Sequence, residues 1–206
     1  MISARPWLIS EPDEVSDFYN ALIAKKENET LAVEQRRGKS GWVTTRSGTG
    51  QAKVARMRLL DAETQQEVAL AMVGQKLRVE LEASVGENLP SLVLGFMMRD
   101  KQGHIIWGSN TWHTRQVQRD VRAGERLVFH LDFTCTLGPG SYSISPALVS
   151  TETHLVDNFE WVDNLLVFDV MNANRTTFIG SNWLDAQFSV DRSGPSAQGN
   201  EGLQQE

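Results

Sequence analysis

The chain has 206 residues, 40% hydrophobic and 22% charged, a composition that fits one folded domain with attached segments and excludes a disordered chain. Its net charge of −6 argues against a nucleic-acid partner, because phosphate binding needs a concentrated surplus of Lys and Arg. The single cysteine, Cys135, allows no internal disulfide, and no apolar run approaches the roughly 20 residues that span a bilayer. The first residues also lack the basic-then-apolar layout of a secretion signal, so a cytoplasmic location is expected.

Ser10-Glu11-Pro12-Asp13 opens like a helix, with a capping serine, a proline suited to the first turn and an acid against the helix dipole. Val15, Phe18, Tyr19, Leu22 and Ile23 follow at spacings of three and four, which predicts a helix over 11–26 with a weak extension to residue 34. A single apolar stripe needs a partner, so residues 1–36 are expected to dock this helix on something else. Residues 37–50 hold four glycines among serines and threonines and read as a flexible linker.

From residue 51 the apolar period becomes two. Strands are predicted at 52–60, 67–71, 76–85, 92–99, 104–114, 126–134, 140–150, 165–170 and 177–190, the last interrupted. Turn chemistry separates them, at Asp61-Ala62-Glu63, Gly86-Glu87-Asn88, Asp100-Lys101-Gln102-Gly103, Ala123-Gly124-Glu125 and Gly138-Pro139-Gly140. Residues 155–164 read as a long loop, with Asn158 and Asn164 stabilising turns. Short strands at regular spacing predict an all-β, antiparallel β-sandwich over 51–190, preceded by one helix. Residues 191–206 are polar and form a mobile tail.

Strand parity then sorts side chains by face. With Leu127, Phe129, Leu131 and Phe133 inward, His130 and Asp132 point outward. With Tyr142, Ile144 and Leu148 inward, Ser143 and Ser145 point outward. Placing Leu92, Leu94, Phe96 and Met98 inward leaves Met97, Arg99 and the small Gly95 outside, and Ile106 inward puts Trp107, Ser109 and Thr111 outside. If these four strands share one sheet, its outer face carries Trp107, Arg99, Met97, Ser109, Thr111, His130, Asp132, Ser143 and Ser145. An indole offers a flat platform to the C–H face of a pyranose, and the polar groups bond its hydroxyls. That set is the candidate carbohydrate-binding face.

Chemistry of other kinds finds little support. Gly38-Lys39-Ser40 imitates the end of a phosphate-binding loop, yet Val33 stands where its first glycine belongs. His104, His113, His130 and His154 form no metal-ligand spacing, and no nucleophile motif is present, so no cofactor, no metal and no catalytic residue is expected. Asp157, Glu160 and Asp163 supply the acids that an alternative reading, a glycan hydrolase, would require. A purely structural dimerisation domain is the second alternative.

Leu94-Gly95-Phe96-Met97-Met98-Arg99-Asp100, Gly103 and Ile106-Trp107-Gly108-Ser109-Asn110-Thr111 together resemble a signature stretch of the C-terminal domain of Wzt-type proteins, the ATPase subunits of O-antigen polysaccharide exporters. Gly140-Ser141-Tyr142, Asn164-Leu165-Leu166-Val167-Phe168-Asp169-Val170 and Gly48-Thr49-Gly50-Gln51-Ala52-Lys53-Val54 are similar to further motifs of that family, so the resemblance spans about residues 10–190. It implies an immunoglobulin-like β-sandwich that binds its own O-antigen, often at a capped non-reducing end. It also implies a homodimer made by exchange of a terminal strand, here 177–190. No ATPase motif lies in these residues, so the resemblance implies a C-terminal piece. An ATPase domain would be attached before the helix and would join a membrane transporter subunit at the inner face of the inner membrane.

Overall fold

The computed structural model describes residues 32–37, 42–152 and 157–193. Among the described residues the chain forms strands and no helix. The strands are β1 (Ala32–Arg37), β2 (Val43–Gly48), β3 (Ala52–Asp61), β4 (Leu70–Met72), β5 (Lys76–Val85), β6 (Leu89–Asp100), β7 (Ile105–Asn110), β8 (Gln118–Val121), β9 (Arg126–Thr134), β10 (Gly140–Val149), β11 (Asn158–Val162) and β12 (Leu166–Met171). The helix expected over 11–26 lies outside the described residues, and its weak extension to residue 34 is replaced by the start of β1. Within the expected linker 37–50, Val43–Gly48 is a strand.

Two sheets pack face to face. The smaller has the order β3-β5-β9, all antiparallel. The larger is organised around β10, which pairs β6 along one edge. Its other edge takes two partners in succession, β12 against Gly140–Ile144 and β11 against Ala147–Val149. Pro146, which has no N–H, falls in the gap between those partners, where that edge has no ladder bond to lose. Beyond β6 lie β7 and β8, beyond β11 lie β2 and then β1, and β4 joins β12 in parallel.

Side-chain alternation explains why the sheets close on each other. In β5, Leu77, Val79, Leu81, Ala83 and Val85 are buried, while Arg78, Glu80, Glu82 and Ser84 alternate on the open face. Opposite them, Leu92, Leu94 and Leu148 complete one core cluster, and Met98, Ile144 and Phe168 complete a second. Each fully buried Leu, Ile or Phe contributes about 1.5–3 kcal/mol relative to exposure. Tyr142 packs its ring 5.9 Å from that of Phe168 and donates its hydroxyl to the Gly138 carbonyl at 2.9 Å, so its one polar atom is satisfied inside the core.

Candidate functional site

The nine residues expected on one face occupy three places. β9 belongs to the smaller sheet, so His130 and Asp132 lie on the opposite side of the sandwich from β6 and β10. There Arg78 holds Asp132 through two bonds of 2.6 and 2.9 Å, and His130 faces Glu80 at 3.4 Å. The Arg78 guanidinium keeps the Asp132 carboxyl below the usual carboxylate range, and Arg58 does the same for Glu80. Local alternation is blind to which sheet a strand joins, and that is why the single-face expectation fails.

Trp107 is the second correction. It stands opposite Met98, a core residue, and Ser109 stands opposite Phe96, so both turn toward the gap between the sheets rather than away from it. A bulge between Met98 and Arg99 resets the register here, and the run Ile105-Ile106-Trp107 offers apolar residues to either face. Trp107 remains 42% exposed because it sits at the mouth of a cleft of about 600 Å³. Ile106, Leu131, Phe133 and Leu137 line it together with polar residues that include Asp132 and Asn182, so of the predicted set the cleft brings Trp107 and Asp132 to one rim. Thr111 closes the β6–β7 ladder: its N–H donates to the Leu94 carbonyl at 2.9 Å and its hydroxyl accepts the Leu94 N–H at 3.0 Å.

The third place is the outer face of the larger sheet, where Met97, Arg99, Ser143 and Ser145 do come together. Arg99 pairs with Ser143 and Met97 with Ser145 across β6 and β10. The two serines are buried, however, and they bond protein. Ser143 Oγ donates to Asn164 Oδ1 at 2.8 Å, and Ser145 Oγ accepts the Asn164 N–H at 2.9 Å. Asn164, at φ 51°, makes the turn from β11 to β12, a left-handed position that asparagine tolerates well. Its Nδ2 donates to the Val43 carbonyl at 3.0 Å, and its own carbonyl accepts the Thr44 hydroxyl at 3.2 Å. The neighbouring Asp163 N–H donates to Thr45 at 2.8 Å. The turn is therefore fixed from both sides, by β10 and by β2.

Asp163 projects from this turn onto the same outer face. Its Oδ1 accepts the Trp161 indole N–H at 2.8 Å and pairs with Arg99 Nη1 at 3.2 Å. Trp161 is half-buried on β11, a strand that sequence reading takes for a loop, and it brings an indole to this face. The signal for it is the alternation of Phe159, Trp161 and Asp163 just before a turn-forming asparagine. A register row crosses the face from Asn110 on β7 through Gly95 and Ala147 to Trp161 and Ser47. Gly95 and Ala147 are the smallest residues of the row and make its low point, a shallow trough in which Ala147 is buried with Val93 and Val149 and Trp161 packs against that cluster. Asn110 and Trp161 flank it, roughly 14 Å apart across three strand spacings. Arg99 and Met97 extend the trough along β6.

The acids of the hydrolase alternative do not face one cleft. Glu160 alternates with Asp163 and points into the sandwich, where Arg46 Nη1 meets it at 2.8 Å and the Val54 N–H donates to it at 2.5 Å. Asp157 accepts the Ser150 hydroxyl at 2.7 Å. Among the described residues no group of three His, Cys, Asp or Glu side chains could hold a metal ion, and no helix is long and apolar enough to cross a membrane.

The fold is a two-sheet β domain whose larger sheet carries Trp161, Asp163 and Arg99 on its outer face. The chain belongs to the Wzt C-terminal domain family, whose profile matches residues 43–184. Its fold is that of the crystal structure of the C-terminal domain of Wzt, which it matches at 16% identity and a TM-score of 0.62 over 78% of this chain and 91% of that one. Much weaker likenesses run to a β-glucosidase from Listeria innocua in complex with glucose (11% identity, TM-score 0.33, 58% of this chain, 15% of that one). A CARDB domain from Pyrococcus furiosus in complex with di-metal ions is similar to the same degree (13% identity, TM-score 0.31, 57% and 94%). Neither overlap bears on function. Among curated proteins, none matches the chain by sequence.

Proposed function

We propose that this chain is a non-catalytic polysaccharide-binding domain that recognises O-antigen, at its non-reducing end, for export by an ABC transporter. Family membership supports the class of function, and the Asn110–Gly95–Ala147–Trp161 row supports the place. Asn110 shapes the side far from Trp161, its amide held by the Glu152 carbonyl and the His113 N–H. A sugar ring lies against the small residues with the Trp161 indole at its C–H face, while Arg99 bonds its hydroxyls. Each such bond exchanges water for protein with a net gain of about 0.5–1.5 kcal/mol, so affinity per ring is modest and a fixed geometry matters. Through an ATPase domain attached ahead of residues 1–36 the module would sit at the cytoplasmic face of the inner membrane.

The partners of this reading include a second copy of the chain. Ile179, Leu184, Phe188 and Val190 are exposed by 97, 70, 101 and 82%, a large apolar surface for one segment. Leu184, Ala186, Phe188 and Val190 alternate with Asp185, Gln187 and Ser189, which is the pattern of a strand with one buried face. The Leu137–Asn182 bridge, supported by the Trp183 N–H donating to Thr136 at 2.6 Å, sets a register. Continued antiparallel, it puts Leu184 against Cys135, Ala186 against Phe133 and Phe188 against Leu131. A strand exchanged from a second copy would thus lie along the edge of β9 that no strand among the described residues pairs, and close the cleft over Trp107. The cleft is a strand seat in this reading, and the trough is left for the glycan.

Calorimetric titration with O-polysaccharide released from the source strain's lipopolysaccharide tests the glycan site. Trp161→Ala is expected to weaken binding at least tenfold with native circular dichroism. Wild-type affinity in that variant would refute the placement, and shortening of the polysaccharide on incubation would refute the non-catalytic reading.

A further inference from the structure

Trp161 and Arg99 stand on strands that are not neighbours, since β10 runs between β11 and β6. The Arg99 side chain is 16% exposed, and the Trp161 ring packs against Val93, Ala147 and Val149, so each needs a polar partner to satisfy its N–H groups beside that apolar cluster. One carboxylate oxygen, Asp163 Oδ1, meets both, at 2.8 Å from the indole nitrogen and 3.2 Å from the guanidinium. The Asp163 side chain is 7% exposed, and the turn beneath it is tied to β10 through Ser143 and Ser145 and to β2 through Val43, Thr44 and Thr45. A buried, immobile acceptor therefore fixes the plane of the indole and the heading of the guanidinium at the same time.

We infer that Asp163 is the positioning residue of the trough: it preorganises Trp161 and Arg99 for a sugar ring, without touching the sugar. The inference rests on the trough as the glycan site. Preorganisation matters most for ligands whose individual contacts are weak, because an indole that must first be immobilised subtracts that cost from a small gain. The same pairing cancels the charge of Arg99, which suits the trough to an uncharged stretch of glycan.

The test titrates O-polysaccharide released from the source strain's lipopolysaccharide into the intact chain and its variants, and follows the indole N–H resonances by NMR. Trp161→Phe identifies its own resonance by removing it. Asp163→Ala is expected to shift the Trp161 resonance alone among the indoles and to weaken binding about tenfold. Asp163→Asn keeps an acceptor for the indole but loses the ion pair, so it retains the resonance and weakens binding only severalfold. On a Trp161→Ala background, Asp163→Ala is expected to cost only the severalfold that the Arg99 pairing accounts for, because the indole it positions is already gone. Wild-type affinity in folded Asp163→Ala, or a tenfold loss that persists undiminished on the Trp161→Ala background, overturns the inference. Should Asp163→Ala fail to fold, wild-type affinity in Asp163→Asn overturns it instead. If Trp161→Ala itself binds normally, the glycan site is misplaced and both readings fall together, an outcome distinct from the others.

Discussion

Glu160 on β11 accepts the main-chain N–H of Val54 on β3, so a single carboxylate links the larger sheet to the smaller one at the side of the core. The Val54 region is where β3 slips register against β5. Glu160→Ala leaves that N–H without its acceptor and Arg46 without its partner. The cost of an orphaned buried donor is about 1–3 kcal/mol. A lower urea midpoint at unchanged slope is the expected result, and no change in midpoint would show that solvent replaces the carboxylate.

The exchanged strand predicts a dimer by light scattering at micromolar concentration. Phe188→Asp puts a charge where the register calls for an apolar residue facing Leu131, and is expected to yield monomer. A wild-type chain that stays monomeric would dismiss the exchange.

Trp107→Ala separates the cleft from the trough. The indole is partly exposed, so its loss is expected to cost about 1–2 kcal/mol, below the roughly 3–5 kcal/mol of a fully buried tryptophan. Thermal stability and dimerisation should fall while O-polysaccharide affinity holds. Loss of affinity at full stability would return the glycan to the cleft.

Acid should loosen the β3–β4 turn. Hydrogen bonds from the Gln75 side chain and then the Thr64 N–H hold the Asp61 carboxyl at about 2, below its ordinary value of 3.8. A depressed carboxylate stabilises the fold above its unfolded-state pKa and loses that contribution as pH falls through the folded one. The urea midpoint of the wild type is therefore expected to drop between about pH 4 and pH 2. Asp61→Asn, already lacking the charge, should drop less over that window, and equal slopes would contradict the assignment.

Much of the sandwich is legible because alternation is a local property. The predicted strands 76–85 and 126–134 coincide with β5 and β9, and 52–60 and 140–150 differ from β3 and β10 by one residue at one end. What is not local goes unread. β2 hides in a glycine-bearing run, where Gly48 is needed because any Cβ there would collide with the Phe159 carbonyl and stand 2.7 Å from Glu160 Cα. β11 hides among acids that look like loop chemistry, and with it Trp161. His130 and Ser143 alternate alike, yet one faces solvent on the smaller sheet and the other is sealed beneath Asn164. Nothing in either strand's own sequence separates the two cases.

The contacts from Val43, Thr44 and Thr45 to the Asp163–Asn164 turn make the segment before residue 51 a wall of the proposed glycan face rather than a tether. A hybrid protein that grafts this specificity onto another carrier should therefore cross over ahead of residue 43. A splice at residue 51 would transplant the platform without the strut that holds its indole upright.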